Sequence, residues 1–180
     1  MPDLSSADSK KLLDIARRTL SDQIKTGEVP RFVIEDPPLL LTRGCFVTLY
    51  KHGSLRGCVG TFDASKPLYQ NVMRMVLAAA FQDTRFQPLS KEELPLIRLE
   101  ISVLGKLEKI HSPEEIEISR HGVLVRYGQQ SGTYLPSVAR DQGWDAWEFV
   151  MRCAREKAGL TPEECAQAEI YRYAVEKISE

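Results

Sequence analysis

Apolar residues recur at Leu12, Leu13, Ile15, Ala16, Leu20 and Ile24, the spacing of a helix with one buried stripe. The chain is therefore predicted to open on a helix, with Ser6 or Asp8 placed to cap its start and Gly27 to end it. Pro30, Pro37 and Pro38 then mark an irregular crossing segment. Residues 45–50, rich in Val, Thr and aromatic side chains, predict a strand, and His52-Gly53 after it reads as a two-residue hairpin loop in which Gly53 accepts a positive φ. That loop sets Leu49 opposite Arg56, Val47 opposite Cys58 and Cys45 opposite Gly60, so Cys45, Arg56 and Cys58 are expected on one face; a slip of one residue would reverse this.

A second helix is predicted from Ser65-Lys66-Pro67 through Leu68, Val72, Met75, Val76, Ala79 and Ala80, with its triple alanine suited to close packing on a sheet. Met73 and Met75 read as gap-filling core or partly exposed surface, not as a cofactor site. Ser90-Lys91-Glu92-Glu93 has the form of a capping box for a short turn stopped by Pro95. Ile97, Leu99, Ile101 and Val103 alternate with Arg98, Glu100 and Ser102, which predicts a strand with one polar face. Ser112-Pro113-Glu114-Glu115 is another capping box or a turn. A strand over 122–127 is predicted to turn back at Gln129-Gln130-Ser131-Gly132. A helix follows around 144–157, ended by Gly159, with Trp147, Val150, Met151 and Ala154 near one core-facing stripe. Thr161-Pro162-Glu163-Glu164 starts a short helix, and Tyr171, Tyr173 and Val175 alternate as a final strand. The hairpin and the alternating strands favour an α+β fold, an antiparallel or mixed sheet with flanking helices, over repeated βαβ units.

The 180 residues fit one domain, or two small subdomains, able to bury a core without disulfide or metal. A net charge of -1 removes any global electrostatic drive toward nucleic acid or anionic membrane. Met1-Pro2-Asp3-Leu4-Ser5-Ser6 lacks the pattern of a signal peptide and no apolar run reaches membrane-spanning length, so a cytoplasmic protein is expected. Cys45, Cys58, Cys153 and Cys165 form no Cys-x-x-Cys pair, and His52, His111 and His121 no ligand-spaced cluster, which argues against a metal centre. The dinucleotide fingerprint, the phosphate loop, the Gly-x-Ser-x-Gly elbow and His-Glu-x-x-His are not found.

Chemistry concentrates in Leu55-Arg56-Gly57-Cys58-Val59-Gly60, where a cation, a thiol and two glycines follow the hairpin loop. Glycine inside a strand marks a bend or a close approach, by a ligand or by a packed backbone. In the catalytic reading Cys58 is the nucleophile or covalent acceptor, Arg56 lowers its pKa or holds an anion, and His121 or Glu100 is the base. In the structural reading the same run is a packed strand with a buried thiol, His121-Gly122 is a turn, and Glu100 faces water. Leu55, Gly57, Val59 and Gly60 are candidate ligand-binding positions, as are Asp83 and Arg85. The last two, two residues apart after a helix, also read as a pair that pins a turn, with about 1 kcal/mol at most from a surface ion pair.

The chain resembles the AMME chromosomal region domain family, whose prokaryotic members are called AmmeMemoRadiSam system protein A. The likeness runs in order through Gly44-Cys45-Phe46-Val47-Thr48-Leu49, the 55–60 signature, Ala79-Ala80-Phe81 with Asp83, Arg85 and Phe86, His121-Gly122, Leu135-Pro136, Gly143-Trp144 and Lys157-Ala158-Gly159-Leu160. Val59 stands where isoleucine is usual, Thr84 where proline is common and Ser137 where glutamine is frequent. The resemblance implies larger and smaller subdomains packed around a cleft, with the signature near it, and association with a Memo-like protein and a radical S-adenosylmethionine protein. It implies no particular reaction, and the cofactor is unknown. Two functions follow as expectations: a cytosolic protein that binds a small molecule or peptide, as an enzyme or enzyme component, or a non-catalytic adaptor.

Overall fold

In the computed structural model, which describes residues 4–180, the chain forms two compact units, one running to Leu104 and taking up Glu176–Glu180, the other Gly105–Val175. The first three residues of the N-terminal stretch read above lie outside the described residues.

The first unit opens on α1 (Ser6–Thr26), whose apolar stripe of Leu12, Ile15, Ala16 and Leu20 is buried. The cap is Ser5 rather than Ser6. Its hydroxyl accepts the Asp8 N–H while the Asp8 carboxylate accepts the Ser5 N–H, and Gly27 ends the helix at φ 76°. A short α2 (Pro37–Leu40) interrupts the proline-rich crossing. Strands β1 (Cys45–Lys51) and β2 (Ser54–Thr61) form the expected hairpin, with His52 and Gly53 both at positive φ, the requirement of a type I′ turn. Strand β3 (Ile97–Leu104) pairs antiparallel with the other side of β1, which leaves β2 at the edge. Helix α3 (Leu68–Phe81) buries Leu68, Val72, Met75, Val76 and Ala79 in the same core as Cys45, Val47, Leu49, Leu99, Ile101 and Val103. Buried Asn71 on α3 donates to the carbonyls of Arg43 and Asp63, tying down the loops on either side of the hairpin.

The expected hairpin register holds for two pairs only. Lys51 faces Ser54 and Tyr50 faces Leu55, but Arg56 is then inserted as a bulge, so that Leu49 faces Gly57, Thr48 faces Cys58 and Cys45 faces Thr61. Cys45 therefore points into the core and Cys58 to the opposite face, which corrects the expectation that they share one. A bulge is not written in residue types, and an unbulged ladder was the simpler reading.

The second unit is a sheet in which β7 (Glu169–Ser179, in this unit up to Val175) lies between β4 (Glu108–Ile110) and β5 (His121–Tyr127), with β6 (Gln130–Tyr134) beyond β5. His121-Gly122 begins a strand rather than a turn. The β5 to β6 turn comes earlier than expected, with Gly128 at φ 58°, and Gln130, Ser131 and Gly132 are already strand. The C-terminal helix is also divided: α4 (Pro136–Gln142), α5 (Ala146–Arg152) and a π turn (Cys153–Lys157) precede Gly159 and α6 (Pro162–Cys165). A Cβ at Gly132 would lie 2.3 Å from the Ala158 nitrogen, so the backbone after the π turn packs directly on β6. Phe149, Val150, Cys153 and Ala154 fill this unit's core, whereas Trp147 is 56% exposed, against the expectation that it is core. Trp144 takes the packed position instead, edge-on to Tyr134 with Arg152 over its ring.

Gly57 makes β2 fit under α3, and Gly60 makes room for the Phe46 ring on the other face. A Cβ on Gly57 would lie 2.2 Å from the Ala79 carbonyl oxygen, and one on Gly60 2.2 Å from the Phe46 ring. Gly57→Val is expected to destabilise the protein by about 3 kcal/mol, the upper end of the overpacking range, and Val59→Ile by under about 1 kcal/mol. Gly60→Val should fall between them, because the Phe46 ring can turn and a helix carbonyl cannot. Urea denaturation checks the order, and coincident midpoints for all three would contradict it.

Candidate functional site

The alternation of β1, β2 and β3 that buries Val47, Gly57, Val59 and Ile101 sends Thr48, Cys58, Glu100 and Ser102 to the other face of the sheet. Thr48 pairs with Cys58 on one side and with Glu100 on the other, which sets thiol, hydroxyl and carboxylate in one row. Thr48 is only 5% exposed and its Oγ1 donates to Cys58 Sγ at 3.3 Å. Glu100 meets Lys177 Nζ at 3.0 Å. Ser102, also buried, has an Oγ with no hydrogen-bond partner among the described residues.

The thiol is held from the side. As the edge strand, β2 turns the main-chain groups of Cys58 away from β1, and two side chains of the segment after α3 take them up. Asp83 Oδ2 accepts the Cys58 N–H at 2.8 Å, and Arg85 Nη2 donates to the Cys58 carbonyl at 3.3 Å. The two are joined to each other by Arg85 Nη2 and Nε, at 2.7 and 2.9 Å from the Asp83 oxygens. This couple supplies the acceptor and donor that a neighbouring strand would have supplied. The Asp83 side chain is 6% exposed, and the Arg85 guanidinium beside it holds its carboxyl at about 2. The pair thus does more than pin its own turn.

Arg56, the bulge residue, is tied elsewhere. Its Nε and Nη2 reach the two Glu93 oxygens at 3.0 and 2.9 Å, its Nη2 also donates to the Gln87 carbonyl, and Lys51 joins Glu93 at 2.9 Å. Arg56 foremost, then Lys51, keep the Glu93 carboxyl at about 2. Both Arg56 and Arg85 lie over the Phe86 ring, at 5.9 and 5.5 Å from its centroid. Arg56 therefore anchors the loop that carries Asp83 and Arg85, with its charge already met by Glu93.

Cys58 titrates above the ordinary thiol range because burial disfavours the thiolate; the Thr48 hydroxyl and the Arg85 charge offset this in part, and Asp83 and Glu100 add to it. Arg85, not Arg56, is the cation the thiol feels. Cys45 and Cys153 are fully buried, and burial pushes both thiols up to about 12.

Of the residues singled out in the sequence, Cys58, Glu100, Asp83 and Arg85 are brought together, and Arg56 joins them through Phe86 and Glu93. Leu55 is exposed at the hairpin, Gly57 is buried under α3, Val59 packs on the core and Gly60 lies under Phe46. His121 belongs to the second unit, where its Nδ1 accepts the Glu117 N–H. Sequence reasoning missed Thr48, Glu93 and Phe86. Glu93 was hidden behind the capping-box reading, which holds only in part: its carboxylate accepts the Ser90 N–H, but its own N–H bonds the Ser90 carbonyl rather than the hydroxyl, and Pro95 lies inside the helical turn Leu94–Leu96 instead of stopping it.

The elements and the site define an α+β protein with a partly buried thiol clamped on the polar face of an antiparallel sheet. The sequence profile of the AMMECR1 family matches residues 13–178, and the chain belongs to that family. It is 34% identical to a protein of Methanosarcina acetivorans, over 93% of this chain and 89% of that one, and 37% identical to one of Thermotoga maritima, over 90% and 93%. The crystal structure of uncharacterized protein PH0010 from Pyrococcus horikoshii superposes with a TM-score of 0.88 at 31% identity, covering 96% of this chain and 91% of that one.

Two measurements test this electrostatic account. Native-state alkylation should label Cys58 before Cys45 and Cys153; Arg85→Met should slow it, and Arg56→Met should leave the thiol pKa in place. An unchanged pKa in Arg85→Met would contradict this. The depressed Asp83 and Glu93 carboxyls also stabilise the fold above their ordinary range near pH 4, and that contribution is lost as pH falls from about 4 to 2. Each is worth up to about 2 kcal/mol, less for Asp83 because Arg85 is half in solvent. Asp83→Asn and Glu93→Gln are therefore expected to lose less stability than the parent chain between pH 6 and pH 3, and a parallel loss would show that neither carboxylate matters.

Proposed function

We propose that the protein binds a small molecule or peptide on the polar face of the β1–β3 sheet, with Cys58, Thr48 and Glu100 as the recognising groups. The observation that carries this reading is the clamp on Cys58: two charged side chains fix the peptide of a partly buried thiol on an edge strand. In this reading Cys58 acts as a neutral thiol, a weak donor and soft contact surface, because its pKa is raised and its hydrogen-bonded neighbour is a hydroxyl, not a base. Asp83 and Arg85 position it, and Arg56 with Glu93 positions them. Gly57 and Gly60 supply close packing.

Operation in the cytoplasm, as a component acting with a Memo-like and a radical S-adenosylmethionine protein, belongs to the same proposal and rests on the family resemblance. Among the described residues, no helix is long and apolar enough to cross a membrane. A nucleic-acid role is left aside because the net charge of -1 offers no phosphate-binding field. A second reading, a non-catalytic interaction module, draws on the exposed Trp147 in the second unit, since aromatic side chains anchor protein interfaces.

The test is capture of metabolites and peptides by the parent protein, Cys58→Ser and Trp147→Ala, read by mass spectrometry. A small ligand retained by the parent and by Trp147→Ala but lost or weakened at least about ten-fold in Cys58→Ser is the expected result, in line with removal of a central contact. Identical retention by the parent and Cys58→Ser would overturn the site, and a protein partner lost only in Trp147→Ala would favour the interaction module.

A further inference from the structure

A second concave surface lies within the first unit, between α1 and the segment that leads into β3. It encloses about 630 Å³, inside the usual range for small-molecule sites. One wall is the exposed stripe of α1 from Asp14 to Lys25, and the other contains Lys91, Leu94, Pro95 and Ile97. Arg17 joins the two walls: it pairs with Glu180 and donates to the carbonyls of Leu94 and Ile97. Its charge and much of its hydrogen-bonding capacity are committed to the fold.

The remaining charges are unevenly met. Arg18 pairs with Asp22 at 3.4 Å and lies over the Phe32 ring. Lys25 and Lys91, on opposite walls, make no ion pair among the described residues, and Glu92, next to Lys91 in sequence, does not line the groove. The one carboxylate of the lining without a cation partner is Asp14, eleven residues from Lys25 along α1, about 16 Å at the helical rise. The groove thus has two ammonium groups that make no ion pair among the described residues, Asp22 one turn from Lys25 but already paired with Arg18, and Pro95 as its apolar contact, since Leu94 and Ile97 are buried in the core.

We infer that this groove is a binding site for a small organic anion, its phosphate or carboxylate head held between Lys25 and Lys91 and its apolar body against Pro95. An anion placed between the two walls gains a charge-assisted hydrogen bond from each ammonium group. The Pro95 ring offers an apolar contact that a bare inorganic ion cannot use. The site shares no residue with the Cys58 row, so it stands or falls independently of the function proposed above.

The test is titration of the full chain, followed by amide NMR, with adenosine diphosphate, pyrophosphate, adenosine and tetraglutamate as probes. Adenosine diphosphate is expected to shift resonances of residues 21–25 and 91–97, pyrophosphate to bind more weakly at the same place, and adenosine to bind weakest. Lys25→Glu with Lys91→Glu, both exposed positions, should weaken adenosine diphosphate by about ten-fold or more with the rest of the spectrum unchanged, and Cys58→Ser should leave it intact. Raising the salt should weaken it too. Shifts that survive both charge reversals, or no shifts at the groove, would overturn the inference. Tighter binding of tetraglutamate than of adenosine diphosphate would overturn the small-molecule assignment in favour of an acidic protein segment.

Discussion

The Asp83 carboxylate is the point on which the signature's geometry turns. It accepts from the Cys58 amide and from Arg85, and Arg85 in turn closes on the Cys58 carbonyl, so one ion pair satisfies both main-chain groups of an edge-strand residue. A charge-assisted bond to a backbone amide is stronger than the neutral bond a neighbouring strand would provide. The clamp also closes the β2 edge at Cys58 to strand addition, the usual hazard of such an edge. A thiol held this way keeps its orientation while only partly buried.

Steric fit on the other face of the same strand works with the clamp. Gly57 lets the Ala79 carbonyl of α3 approach β2, and the chain leaving α3 then reaches Asp83 within four residues. The glycine and the alanines thus bring the end of α3 close enough for Asp83 to bond β2. Arg56 completes the frame from the bulge, holding Glu93 at the far end of the loop while sharing Phe86 with Arg85. The cation, the thiol and the two glycines of the signature therefore play different parts: the arginine and glycines build, and the cysteine is what they present.

Much of this architecture is legible in residue types. The α1 stripe, the His52-Gly53 turn, the one-sided polarity of β3 and the capping boxes at Ser112 and Thr161 are local rules with local outcomes. The bulge at Arg56 is not, because it depends on where Arg56 finds a carboxylate thirty-seven residues away. The exposure of Trp147 is hidden for a similar reason: Phe149 and Val150 fill the core of the second unit, and helical spacing alone does not say which stripe wins. The site was half legible. Cys58, Asp83 and Arg85 stand out by type, but the Thr48 and Glu100 row needs the one-residue register that the bulge sets.

The most direct test of the clamp is hydrogen exchange at the Cys58 amide, compared between the parent chain and Asp83→Asn. If Asp83 holds that amide, the Cys58 N–H exchanges slowly in the parent and becomes fast in the variant, while Val47 and Leu49, in the interior of β1, remain protected. An amide equally protected in both proteins would contradict the account, since some other group would then be holding the signature in place.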